Sequence, residues 1–163
     1  MKRIPIEAYK EAAQSLIYDP TSPSALRWVN GKPAGAQDHC NYWLVRVGKR
    51  PGRLFKAHRL VWFIHHQTMP DLIDHCDRNT SNNLITNLRE ATESQNRTNA
   101  RTHKDNTSGA KGVIWDTPNN KWMVRVHLNY KSHFGGRFTD LAEATLVVCE
   151  MRKQLHKEFS NDI

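Results

Sequence analysis

Between Leu72 and Asn96 the chain reads LIDHCDRNTSNNLITNLREATESQN. It sets an acid directly before an imidazole, Asp74 and His75, and then spends five positions on asparagine: Asn79, Asn82, Asn83, Asn87 and Asn96. Histidine is the side chain best suited to accept a proton near neutral pH. Carboxylate and amide oxygens are hard donors that suit Mg²⁺ or Mn²⁺. Phosphodiester hydrolysis needs both functions, a base to activate water and a cation to stabilise the departing oxygen. The tetrad Thr92-Glu93-Ser94-Gln95 matches a capping box, so a helix is expected to begin at Thr92 with Asn96 in its first turn. Adjacent residues on a strand point to opposite faces. Asp74 and His75 can therefore serve one site only where the strand ends or bends.

Working outward, PIEAYKEAAQSLIYD reads as one amphipathic helix that includes Leu16 and Ile17. ALRWVN predicts a strand, NYWLVRV a second by its alternation, and LFKA a third after the turn GKRPGR. HRLVWFIHHQ predicts a helix with Leu60, Phe63 and Ile64 inward. From Arg97 to Ala110 the chain lacks large apolar residues and reads as a basic linker. Three strand-like runs follow, KGVIWD, KWMVRVHL and SHFGGRF, and then a helix over TDLAEATLVVCEMRKQLHKEF. Thr139 or Asp140 is its expected cap, and Leu141, Ala144, Val148 and Met151 form its apolar stripe.

The 163 residues carry 24 Lys and Arg against 16 Asp and Glu, a formal charge of +8. A balance of this sign favours a polyanionic partner. Three cysteines without a C-x-x-C pair argue against a zinc ribbon or a disulfide framework and fit a reducing cytoplasm. No apolar run approaches the length of a signal peptide or a membrane span. His65, His66, Cys40 and Cys76 read as packing or surface residues. His58, at the start of a helix, reads as a structural or site-wall residue.

The Asp-His segment resembles the HNH nuclease family, a ββα-metal fold, in its phage and intron homing-endonuclease branch. The resemblance rests on His58-Arg59-Leu60 with Trp62, Asp74-His75, Asn82-Asn83, Asn87-Leu88, and Thr92 with Asn96, and it covers roughly residues 41–99. It implies that His75 is the general base and that Asp74 and Asn96 hold one divalent cation, Mg²⁺ or Mn²⁺. It implies that Asn87 braces the loop between the two strands through backbone hydrogen bonds. Arg78 stands where the family commonly has glycine. Paired cysteines of the zinc-stapled subtype are absent.

Residues 106–159 resemble the DNA-binding domain of the plant Apetala/ethylene-response-factor type. The hallmarks are Ser108-Gly109, Gly112-Val113, Trp115, Trp122, Gly136-x-Phe138 and Ala144. The resemblance implies a three-stranded antiparallel sheet that enters the DNA major groove. Ile114 and Asp116 replace arginines common on the first strand of the plant domains, and Gly135 replaces a usual leucine. Trp115 and Trp122 are expected in the core.

The expected architecture is α+β: a ββα-metal (His-Me finger) nuclease module over 1–97, a basic linker over 98–107, and a three-stranded sheet with one helix over 108–160. The expected activity is metal-dependent cleavage or nicking of double-stranded DNA by a homing-type endonuclease, as a monomer in a bacterial host's cytoplasm with no membrane or protein partner. Arg78, Arg97, Arg101, Lys104, Lys111, Arg125, His127, Lys131 and Arg137 are the expected DNA contacts. Two alternatives stay open: a sequence-specific DNA-binding regulator with an inactive HNH site, and a nuclease selective for RNA or branched DNA.

Overall fold

The computed structural model describes residues 4–100, 102, 105–156 and 159. The chain forms two compact units, Met1–Ala91 and Thr92–Ile163.

In the first unit, α1 spans Ile6–Ala13 and is followed by β1, Leu16–Tyr18, which pairs antiparallel with β2, Leu26–Trp28. Leu16 and Ile17 thus belong to a strand, not to the helix expected from their spacing. Their pairing partners, Trp28 and Arg27, lie 12 and 10 residues away, where helical periodicity does not look. Next come β3, Ala36–Gln37, β4, Trp43–Val47, and β5, Arg53–Lys56, in one sheet of order β3-β4-β5. α2, Ala57–His66, buries Leu60, Val61 and Phe63 in the core with Tyr9, Leu26, Val45 and Phe55. Ile64, expected inward, is only partly buried against that core. The helix stops at Gln67, which turns left-handed (φ +53°) and returns its N–H to the Phe63 carbonyl. Arg59 fixes α2 by donating to the Tyr9 hydroxyl at 3.0 Å and to the Pro70 carbonyl at 3.0 Å. β6, Leu72–His75, then pairs antiparallel with β7, Leu88–Ala91, in the register Asp74↔Arg89 and His75↔Leu88.

In the second unit, α3 covers Glu93–Asn99. Thr92 caps it with the reciprocal hydrogen bonds to Gln95 that a capping box requires. The chain order β6, β7, α3 is that of a ββα module. Thr98 and Asn99 are helical and buried, so the expected linker does not begin at residue 98. β8, Val113–Asp116, β9, Lys121–Leu128, and β10, Lys131–Phe138, form an antiparallel sheet of order β10-β9-β8. α4, Leu141–His156, lies on one face of it, with Ala144 and Val148 packed against Val113, Val124 and Val126. The Asp140 carboxylate accepts from Ala142 N at 3.0 Å at the start of α4. Helix and sheet approach closely at Gly135, where a Cβ would fall 2.6 Å from Val124 Cγ1 and also against Met151. No helix among the described residues is long and apolar enough to cross a membrane.

Candidate active site

β6 ends at His75, and both site residues it carries are buried, Asp74 at 6% exposure and His75 at 5%. As strand neighbours they reach different partners. Asp74 Oδ2 accepts from Arg89 Nε at 3.0 Å and Nη2 at 2.9 Å across the β6–β7 pair. His75 turns the other way, its Nε2 3.2 Å from Asn83 Oδ1. The Asn83 amide is oriented by a second bond, Nδ2 donating to the Ser24 carbonyl at 3.3 Å. With its NH₂ spent on a carbonyl, Asn83 presents oxygen to the ring. An oxygen facing Nε2 favours the neutral tautomer with the proton on Nε2 and the lone pair on Nδ1.

Around this pair stands an aromatic and basic wall. The His58 ring lies 5.1 Å from that of His75, edge to face. The Tyr42 ring lies 5.7 Å from His58, and Lys56 Nζ sits 4.0 Å above it. Burial pushes the His75 pKa below its ordinary 6.5, opposed by the Asn83 hydrogen bond and the nearby Asp77 and Asp74 charges. Burial pushes His58 much further down, helped by His75, Lys56 and Arg59. Both shifts favour the uncharged ring, the state a base must have. Burial together with the Cys40, Asp38 and Asp74 charges raises Tyr42.

The asparagines shape the loop that follows. Asp77 Oδ1 accepts from Asn79 N at 2.8 Å and Asn87 Nδ2 at 2.9 Å, and its Oδ2 from Asn82 Nδ2 at 2.8 Å. Burial raises the Asp77 pKa, but these three donors outweigh it and hold the carboxyl below its usual value. Asn87 also accepts from Asp77 N at 3.1 Å, donates to the Asn82 carbonyl at 2.8 Å and takes Cys76 N on its own carbonyl. Side chains thereby satisfy backbone groups that a loop this long would otherwise leave to water. Two further bonds moor it to the β3–β4 hairpin, Gln37 Nε2 to Ser81 Oγ at 2.7 Å and Ser81 Oγ to the Asn41 carbonyl at 2.9 Å. Arg78 adopts φ +62°, the left-handed region that glycine favours.

Asn83 and Arg89 do not appear among the residues assigned roles from sequence. The sequence signal for Asn83 was the pair Asn82-Asn83, but only the fold tells which asparagine meets the imidazole, and only the β6–β7 register sets Arg89 opposite Asp74. His65 and His66 pack on the Tyr18 and Trp62 rings at 4.5 and 4.2 Å.

Asn96 is exposed on α3, in the second unit. There the expected DNA contacts separate. Arg125 and His127 are exposed on β9. Across the strands Arg125 pairs with Phe134, and Arg137 with Met123, placing these on the sheet face away from α4 together with exposed Ile114. Lys131 pairs with Leu128, so its register puts it on the opposite face from Arg125 and His127. Lys111, another expected DNA contact, gives its ammonium to the carbonyls of Arg97, Thr98 and Ala100 at 3.0, 2.9 and 2.7 Å. Arg137 is exposed but ion-paired, its Nε 2.6 Å from Asp116 Oδ2. Trp115, expected in the core, is 44% exposed and meets Trp122 edge to face. Arg97 lies in the last turn of α3. Arg101 and Lys104 fall outside the described residues.

Comparison with known proteins supplies the rest. The HNH endonuclease family matches residues 55–98, a span that holds Asp74, His75, Asn83, Asn87 and Asn96. Protein 3.8 of Escherichia phage T7 is 35% identical over 107 residues, 64% of this chain and 88% of that protein. No solved structure matches the chain.

Proposed function

Because the chain belongs to the HNH endonuclease family, we propose that this nuclease hydrolyses phosphodiester bonds in double-stranded DNA with His75 as the general base. The observation that carries the reading is a buried His75 whose Nε2 lies 3.2 Å from Asn83 Oδ1, with the Asn83 amide itself held by the Ser24 carbonyl. A water placed at Nδ1 loses its proton to the ring as its oxygen attacks phosphorus, and the bond to the 3′ oxygen breaks. Asp74 is proposed as the carboxylate ligand of a divalent cation, and Asn96 as the amide ligand the family resemblance assigns. Hard oxygen donors of this kind fit Mg²⁺ or Mn²⁺, which keep water and take substrate phosphate oxygens to complete their shell. Among the described residues no group of three His, Cys, Asp or Glu is placed to hold a metal, so the donor set proposed is a sparse one. When bound, the cation supplies charge neutralisation at the departing oxygen. Arg89 orients the Asp74 carboxylate by its two bonds to one oxygen. Asn87 acts through the loop it braces.

The sheet in the second unit, with Arg125, His127 and Arg137 on its outer face, is proposed to contact DNA in the Apetala/ethylene-response-factor manner. Arg78 and Arg97 add phosphate contacts. A homing-type phage enzyme working in the bacterial cytoplasm fits the likeness to a phage protein. A second reading has one observation in its favour. Arg89 already neutralises Asp74, as it would in a regulator that binds DNA without cutting.

A supercoiled plasmid incubated with Mg²⁺, Mn²⁺ or EDTA tests the proposal. Metal-dependent relaxation should fall about 10²–10⁴-fold in His75→Ala with DNA binding intact. Tight binding without cleavage in either metal would leave the regulator.

A further inference from the structure

β8 pairs with β9 only over Lys121–Val124. Arg125 N still donates to the Gly112 carbonyl on that side, and from Val126 to Leu128, among the described residues, β9 has a strand neighbour on one side alone. On the other side Ser94 of α3 receives Asn129 N at 3.0 Å, and a cavity of about 470 Å³ opens there. Its described lining includes Arg97, Arg125, His127, Arg152 and His156, and no acid. At the rim stands Tyr130, 78% exposed.

Tyr130 is in an unusual place. Asn129 and Tyr130 form the two-residue turn between β9 and β10 with φ +47° and +63°. Turns of this kind take glycine most readily at the second position. A tyrosine there strains the backbone, and an exposed ring gives the core nothing in return. The ring is nonetheless held in place. Its hydroxyl donates to Glu93 Oε2 at 3.1 Å, and the Arg97 guanidinium lies 5.9 Å from its centre.

We propose that this cavity takes one unpaired nucleotide of a DNA strand, its base laid on the Tyr130 ring and its phosphate beside Arg97. The volume lies in the range of small-ligand sites. Exposed aromatic faces beside cationic walls bind unstacked bases with little regard to sequence. A base inside a duplex has no open face to offer, so the nucleotide must be outside the stack. The inference rests on the DNA reading above and adds a preference for unpaired strand to it.

The test is fluorescence anisotropy of the full chain with a labelled oligo-thymidine strand and with a fully paired duplex. Tyr130→Gly suits the turn and removes only the ring. It should weaken oligo-thymidine binding about tenfold while duplex binding changes by less than about twofold. Tyr130→Phe should restore the strand affinity. An equal loss on both probes, no loss on the strand, or a wild type that binds duplex but not strand would overturn the inference and leave the DNA reading standing. A wild type that binds neither would overturn both.

Discussion

In the proposed mechanism, Asn83 is the residue on which the chemistry of His75 turns. Removing its oxygen releases the ring to protonate on either nitrogen, so Asn83→Ala should lower the cleavage rate about 10–100-fold at saturating metal, with DNA affinity retained. The pH dependence has a definite direction. Burial holds His75 below 6.5, so the acid limb of the rate profile should lie below that value in the wild type. The Asn83 bond opposes the lowering, so Asn83→Ala should move the limb further toward acid. His58 gives a second, separable effect. Its folded pKa is far below 6.5, so on acidification the unfolded chain binds a proton that the folded chain refuses. Stability should fall as pH drops through about 6.5, by up to about 1.4 kcal/mol per pH unit for this one ring. Urea denaturation at a series of pH values checks this, and His58→Asn should flatten the dependence. Sequence named His75 and Asp74 because acid, imidazole and spacing are local. It gave no role to Asn83 or Arg89, because each meets its partner only when β6 folds against its neighbours.

Elements show the same division between local and distant causes. Thr92 and Gln95 are three residues apart, and their reciprocal bonds start α3 where the spacing says. The three strands of the second unit and α4 were likewise readable, since alternation and an apolar stripe are local patterns. Leu16 and Ile17 were misread because a strand with a distant partner can wear helical spacing. Lys111 and Lys131 were misplaced for a related reason, as charge says nothing of which carbonyl or which face receives it. Two backbone positions yield stability predictions. Arg78→Gly relieves a left-handed arginine and should raise stability by up to about 1 kcal/mol, net of glycine's greater unfolded freedom. Gly135→Ala forces a methyl into Val124 and Met151 and should cost about 1–3 kcal/mol. Chemical denaturation measures both.

At the scale of the molecule, a charge of +8 makes DNA affinity a salt-dependent quantity. Asp116 withholds part of that charge by pairing with Arg137, and the pairing keeps its own carboxyl below the usual range. Asp116→Asn should release Arg137, tighten duplex binding and steepen the dependence on salt by about 0.9 in log–log slope. Titrations at several NaCl concentrations would show it. Both compact units are continuous in sequence, which invites recombination with other nucleases or other binding modules. Lys111 limits where the chain can be cut for that purpose. Its one ammonium closes the carbonyl end of α3 from across the intervening segment. A chimera joined between Ala100 and Lys111 would graft the helix without its stopper, and its last turn would fray. A splice before Thr92 keeps capping box, helix and lysine together as a single cassette, but it takes Asn96, the proposed amide ligand, away with them from the strand that carries Asp74.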